Sequence, residues 1–221
     1  MHKSRAVLFD FDGTLASTME DHFRAWKAVM AAYGIDLKPE AYYLLEGLHV
    51  YELPRRLFGI YQHDVPDEAE VVRRKERYYL EHHRFMLYPG VEELIGRLRA
   101  KQVRLAVVTA GLPDRLKRSA PPSLLGQFDA IVTGDETEGK PSPAPYLRGA
   151  EKLGVKPEHC VVVENAPLGI ESAKRAGTYC IAICSTLSRH YLEQADEVVD
   201  AFEDLQASQA INALLQRPEM R

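Results

Sequence analysis

Four groups of polar residues, three of them directly behind an apolar run, have types and spacing suited to chemistry. Asp10-Phe11-Asp12-Gly13-Thr14 follows the run Ala6 to Phe9. Two carboxylates separated by one residue of extended chain point the same way and could share one metal ion, while Gly13 lets the backbone turn sharply behind them. Thr109 follows Val107-Val108 and offers a hydroxyl to a phosphate oxygen, and Lys140, next to Pro141, supplies a cation in a rigid turn. Glu164-Asn165, behind Val161 to Val163, adds two oxygen ligands suited to a hard divalent cation. Taken singly, each has a plainer reading: turn residues, a turn hydroxyl, a solvated surface charge, a cap for the following helix. Taken together they are what phosphoryl transfer requires, namely a carboxylate nucleophile, a neighbouring acid or base, a metal, and donors around the transferred group.

These groups need elements to hold them. Strand-length apolar runs recur at Ala6 to Phe9, Val103 to Val108, Phe128 to Val132, Cys160 to Val163 and Tyr179 to Ile183, with a weaker one at Glu197 to Val199. Most are continuous, as in a sheet covered on both faces. Helix-like stretches lie between them, at Val91 to Lys101, Ala144 to Leu153 and Leu168 to Ala176, and this alternation predicts an α/β fold with a parallel sheet wrapped by helices. Residues 17 to 88 break the rhythm with helical periodicity and almost no strand-like run, which predicts a helical domain inserted after the first strand. Tyr88-Pro89-Gly90 reads as the return hinge. Functional loops of such sheets gather at the carboxyl ends of the strands, where all four polar groups are expected.

Composition narrows the class. Apolar and charged fractions of 46% and 27% over 221 residues fit an ordinary soluble enzyme-sized chain. A formal net charge of -4 leaves no polybasic footprint for nucleic acid or anionic lipid, and Arg73-Arg74-Lys75 reads as a solvated helix face. The three cysteines, Cys160, Cys180 and Cys184, lack metal-ligand spacing and read as buried, reduced thiols. No membrane-length apolar stretch or signal-peptide pattern appears, so the expectation is a cytoplasmic protein with no membrane partner. A monomer is the default, since no heptad or interface stripe stands out.

The ordered set Asp10 to Thr14, Thr109, Lys140-Pro141-Ser142-Pro143 and Glu164-Asn165-Ala166-Pro167-Leu168-Gly169-Ile170 resembles the haloacid dehalogenase superfamily through nearly the whole chain. His22-Phe23-Arg24-Ala25-Trp26-Lys27 and the helix end Ala176-Gly177 are similar to the group of beta-phosphoglucomutases and small-metabolite phosphatases. The resemblance implies a Rossmann-like core over residues 1–16 and 89–221 with a helical cap over 17–88. It also implies Mg2+ as cofactor, held by Asp10, Asp12, Glu164 and Asn165, and a small phosphorylated metabolite as partner. Asp10 is the implied nucleophile and Asp12 the acid and base, with Thr109 and Lys140 around the phosphoryl group and Ala110-Gly111 offering backbone amides. His22, Glu46, His49 and Tyr51 are the candidate cap contacts to substrate, whereas Trp26 reads as a core aromatic.

Three departures qualify the resemblance. Where the mutases place a phosphate-holding arginine on the cap, this chain has Val50; where the family has an aspartate after Glu164, it has Asn165; and Ala110-Gly111 follows Thr109 where relatives often carry a polar residue. The expected activity is therefore a phosphatase working through an aspartyl-phosphate. A sugar-phosphate mutase is the alternative if Arg55 or Arg56 reaches the site, and a non-catalytic binding protein on the same fold is a second.

Overall fold

The computed structural model describes residues 6–65 and 67–216; residue 66 and both ends of the expected core segment, 1–5 and 217–221, lie outside the description. Six parallel strands form one sheet: β1 Ala6–Phe9, β2 Arg104–Val108, β3 Ala130–Val132, β4 Cys160–Glu164, β5 Tyr179–Ile183 and β6 Glu197–Val199, in the order β3-β2-β1-β4-β5-β6. β1 lies between β2 and β4, so the chain runs outward to one edge through β2 and β3 and then returns to the other side of β1. Crevices form at such a reversal, beyond the carboxyl ends of the strands.

Side-chain alternation explains why the runs read as continuous. Val7 and Phe9 face one apolar layer with Val107, Val161 and Val163, while Leu8 faces the opposite layer with Val108 and Val162. Helices α5 Val91–Ala100 and α10 Gln209–Leu215 pack on the first face; α8 Ala144–Leu153 and α9 Pro167–Arg175 pack on the second. The third strand is shorter than its apolar run because Phe128 leaves the ladder and packs edge-on against Phe9, with ring centroids 6.3 Å apart. Helix α9 starts one residue earlier than expected, with Pro167 at its first position, where the missing N–H costs nothing. Short helices α6 Pro113–Ser119 and α7 Pro122–Leu125 connect β2 to β3.

Between β1 and α5 the chain forms α1 Met19–Ala31, α2 Pro39–Tyr43, α3 Leu53–Ile60 and α4 Glu68–His82. They bury their own apolar cluster, which includes Trp26, Met30, Leu57, Phe58 and Val71. The two connections to this helical insertion run side by side: Ser17 N–H donates to the Met86 carbonyl at 2.8 Å and Tyr88 N–H to the Leu15 carbonyl at 3.0 Å. Cys160 and Cys180 are buried free thiols, whereas Cys184 is only partly buried, because it lies just past the end of β5. No helix among the described residues is long and apolar enough to cross a membrane.

Candidate active site

Asp10 emerges from β1, Thr109 from β2 and Glu164 ends β4, so three adjacent strands deliver them to one end of the sheet. They line a cavity of about 70 Å³ together with Asp12, Lys140 and Asn165 from the core and His22, Glu46, Val50 and Lys75 from the insertion.

Lys140 is the centre of the core side. Its ammonium donates to Asp10 Oδ1 at 2.6 Å and to Glu164 Oε1 at 2.5 Å. Glu164 is filled from every side: Oε1 also accepts from the Tyr146 hydroxyl at 2.6 Å, and Oε2 accepts the backbone N–H groups of Asn165 at 2.9 Å and Ala166 at 3.2 Å. All these bonds lie within the protein, which makes Glu164 the anchor that aims Lys140. Burial opposes the charge on Lys140, but Asp10 and Glu164 outweigh it and raise its pKa. Asp10 is pushed upward by burial, Lys140 pulls it down, and the charge of Glu164 adds to the rise.

Asp12 has a different environment. Its Oδ1 accepts from the Thr18 hydroxyl at 2.7 Å and lies 3.1 Å from His22 Nε2, while Arg115 donates to Oδ1 at 3.2 Å and to Oδ2 at 2.8 Å. Lys75 donates to His22 Nδ1 at 2.9 Å, and His22 Nε2 lies 3.1 Å from both Asp12 Oδ1 and Arg115 Nη1, so the imidazole is held between two cations and a carboxylate. Tyr79 stacks on His22 at 4.0 Å and 4° between ring planes, fixing the imidazole from the side. Burial works to raise Asp12, but Arg115 and His22 overcome it and hold the carboxyl well below its ordinary 3.8. Burial and the neighbouring Lys75 charge bring His22 down to about 4, so the ring is neutral near pH 7.

Asn165 is a third node. Its Oδ1 accepts from the Thr14 hydroxyl at 3.0 Å; its Nδ2 donates to Glu46 Oε1 at 2.7 Å and to Thr186 Oγ1 at 3.1 Å. Gly13, at φ +81°, is what lets this amide in, since a Cβ there would lie 2.2 Å from Nδ2. Around Thr109, the Gly111 N–H donates to the threonine hydroxyl at 3.0 Å, and Ala110 and Gly111 both line the cavity.

The structure gathers Asp10, Asp12, Thr109, Ala110, Gly111, Lys140, Glu164, Asn165, His22 and Glu46 around the cavity. His49 lies apart, against a smaller chamber of about 10 Å³ that shares Thr109, Ala110 and Lys140. Tyr51 lines neither cavity; it is 44% exposed beside His49, on the solvent side of the turn into α3. Arg55 pairs with Glu68 and Arg56 with Glu52 at the surface, so neither reaches the cavity.

Lys75 and Arg115 are among the site residues that escape the sequence reading. Lys75, read as part of a solvated run, is 4% exposed, while Arg73 and Arg74 beside it pair with Glu70 at the surface. The available signal is its spacing: Val71, Lys75 and Tyr79 stand four apart on one face of α4, and both neighbours are apolar in character. Arg115 carries no such signal. It sits on α6 and reaches Asp12 because Gly111 has no side chain; a Cβ there would lie 1.8 Å from the guanidinium.

The donor set fits a hard divalent cation by its chemistry. Asp10 is a buried carboxyl lining the cavity together with Asp12 and the amide of Asn165, all oxygen donors of the kind such a cation takes, while Glu164 is occupied by Lys140. The upward push on buried Asp10 is what a nearby cation offsets. Among the described residues no group of three or more His, Cys, Asp or Glu is placed to hold a metal, and a cation there would also draw on amide or carbonyl oxygens.

Residues 7–183 match the family model of haloacid dehalogenase-like hydrolases. Over 216 residues the chain is 34% identical to Protein CbbY of Cereibacter sphaeroides, covering 90% of this chain and 93% of that one. It is also 34% identical over 190 residues to a phosphorylated carbohydrates phosphatase of Thermotoga maritima, covering 78% and 81%. Among solved structures, a putative beta-phosphoglucomutase from Bacteroides vulgatus superposes with a TM-score of 0.83 at 28% identity, over 98% of this chain and 92% of that one.

Proposed function

Because the chain belongs to the haloacid dehalogenase-like hydrolases, we propose that it is a Mg2+-dependent phosphatase that releases phosphate from a small phosphorylated carbohydrate through an aspartyl-phosphate on Asp10. The observation that carries this reading is the Lys140 ammonium, 2.6 Å from Asp10 and anchored by Glu164, beside a carboxylate in line with the cavity. That arrangement suits a nucleophile with its electrostatic stabiliser already in place.

An Asp10 oxygen forms a bond to phosphorus as the bond from phosphorus to the leaving alkoxide breaks. Asp12 gives its proton to that alkoxide. In the second half a water oxygen bonds to phosphorus, its proton goes to Asp12, and the bond to Asp10 breaks. Lys140 and the Thr109 hydroxyl serve the equatorial phosphoryl oxygens throughout. To carry a proton Asp12 must shed a donor, and Glu76, whose Oε2 lies 3.7 Å from Arg115 Nε and has no hydrogen-bond partner among the described residues, offers the guanidinium another place. The residues that would hold the cation are Asp10, the backbone carbonyl of Asp12 and the amide oxygen of Asn165, with Glu164 kept for Lys140. When bound, the cation offsets charge between the nucleophile and the phosphoryl oxygens.

In this reading the insertion acts as a cap. His22 reaches from it to Asp12 with Lys75 bonded behind the imidazole, and Trp26 and Val50 give the cavity an apolar wall. The wall carries Val50 where a mutase would need a cation for a second phosphate, and Arg55 and Arg56 are spent at the surface, which favours hydrolysis over intramolecular transfer. The test is phosphate release from a panel of sugar and polyol phosphates with and without Mg2+, using the wild type and Asp10→Asn. Mg2+-dependent release abolished by Asp10→Asn is expected; normal turnover by that variant excludes Asp10 as nucleophile.

A further inference from the structure

Glu46 is a buried carboxyl in an unusual position. It comes from the turn between α2 and α3 of the insertion, yet its hydrogen-bond donors belong to the core: Asn165 Nδ2 at 2.7 Å and, more weakly, the Thr186 hydroxyl at 3.4 Å. Both donors are neutral, and among the described residues no ion pair joins Glu46 to a cation. Burying a carboxyl costs several kcal/mol unless its oxygens are served, so this contact exists only because the core presents N–H and O–H groups at that spot. The next residue, Gly47, sits at φ +91° directly on Lys140, where a Cβ would lie 3.1 Å from the Lys140 side chain. The Glu46-Gly47 turn is therefore seated on the two nodes of the core site.

The partner is equally committed. Asn165 is fully buried and spends both amide hydrogens, one on Glu46 and one on Thr186, while one lone pair of its oxygen accepts from Thr14. An amide donates toward Glu46 and accepts from Thr14 at once; an ionised carboxylate at 165 has no hydrogen to give to Glu46. The paired connections at Ser17 and Tyr88 join the insertion to the core elsewhere, through backbone bonds that involve neither Glu46 nor Asn165.

We propose that Glu46 and Asn165 form the latch that seats the cap on the core, with the donor character of position 165 matched to the carboxyl of Glu46. The proposal rests on the reading of the insertion as a cap. Opening returns Glu46 to water, which repays its desolvation; closing is favoured by the two core donors. The latch thereby makes closure a balance that one side chain can tip.

Trp26 is the one tryptophan in the chain, is buried, and lines the cavity, so its accessibility to acrylamide reports opening without any substrate. Glu46→Ala is expected to shift the closed-to-open ratio about tenfold toward open, the scale of one buried hydrogen bond, seen as faster quenching and a larger radius of gyration in solution scattering. Glu46→Gln keeps an acceptor oxygen for Asn165 and should quench like the wild type, and Asn165→Ala should quench like Glu46→Ala, with the double variant adding little. Wild-type quenching in Glu46→Ala overturns the latch, as does Glu46→Gln behaving like Glu46→Ala. Should Glu46→Ala fail to fold, Thr186→Ala, which removes the weaker donor, is expected to give a smaller shift the same way, and none overturns the proposal. Because quenching uses no substrate, an enzyme that releases no phosphate yet opens in Glu46→Ala refutes the phosphatase reading and leaves the latch standing.

Discussion

Arg115 grips both carboxylate oxygens of Asp12, at 3.2 and 2.8 Å, from a helix 103 residues further along the chain. Both side chains are largely buried, so removing one charge strands the other in a medium that solvates it poorly. Arg115→Met is expected to lower unfolding free energy by roughly 3–5 kcal/mol, the cost typical of breaking a buried pair, measured by urea unfolding. Arg115→Lys keeps the charge but not the fork and should fall between the two. A wild-type midpoint in Arg115→Met would mean the pair contributes nothing net.

His22 sets a pH dependence of stability. Its folded pKa of about 4 lies below the ordinary 6.5, so between those values the unfolded chain binds a proton that the folded chain refuses. Stability must then fall as pH drops from 6.5 toward 4, by roughly 1.4 kcal/mol per pH unit for this one group. Other buried acids titrate as well, so the measurement is a difference: without divalent cation, acidification from pH 7 to pH 5 should lower the melting temperature of wild type more than that of His22→Gln. Equal losses would place the imidazole proton elsewhere.

Lys140 and the metal can be separated experimentally. Lys140→Ala is expected to cost on the order of a hundredfold or more in kcat, as removal of a pre-placed electrostatic stabiliser does, read from phosphate release at saturating Mg2+. Mg2+ should raise the melting temperature of the wild type, because a ligand bound only to the folded state stabilises it by mass action. Asp10→Ala should reduce that rise. Chelation should abolish turnover reversibly, and a turnover that survives exhaustive chelation would exclude the metal.

The sequence carries the core side of this site more openly than the cap side, for physical reasons. A strand delivers its last residue to a fixed place, so Asp10 behind Ala6–Phe9 and Glu164 at the end of Cys160–Glu164 are positioned as soon as the strands are recognised. Lys75 illustrates the opposite case: its type suggests solvent, and only its place four residues from Val71 and Tyr79 shows the buried face. Arg115 is harder still, and so is the core partner of Glu46, because both are set by how α6 and the turn after α2 dock, and neither local propensity nor periodicity encodes docking. Tyr51 shows the converse error, a plausible side chain on the wrong side of a turn whose direction only the fold reveals.

Gly169 gives the sharpest test of how tightly the core site is built. It lies in the first turn of α9 with no positive φ, so helix propensity alone favours alanine there by nearly 1 kcal/mol. A Cβ at this position, however, would fall 1.9 Å from Glu164 Oε1, the oxygen that accepts from both Lys140 and Tyr146. That carboxylate cannot yield without releasing its bonds to the Asn165 and Ala166 amides, since it is held from both ends. Gly169→Ala should therefore destabilise the protein despite its better propensity, and should lower kcat at saturating substrate by loosening Lys140. Gly96, in the interior of α5 with nothing within 4 Å of an added Cβ, is the matched control: Gly96→Ala should hold or raise the melting temperature. If both substitutions stabilise alike, the packing around Glu164 is looser than these distances require, and Lys140 does not depend on it for its aim.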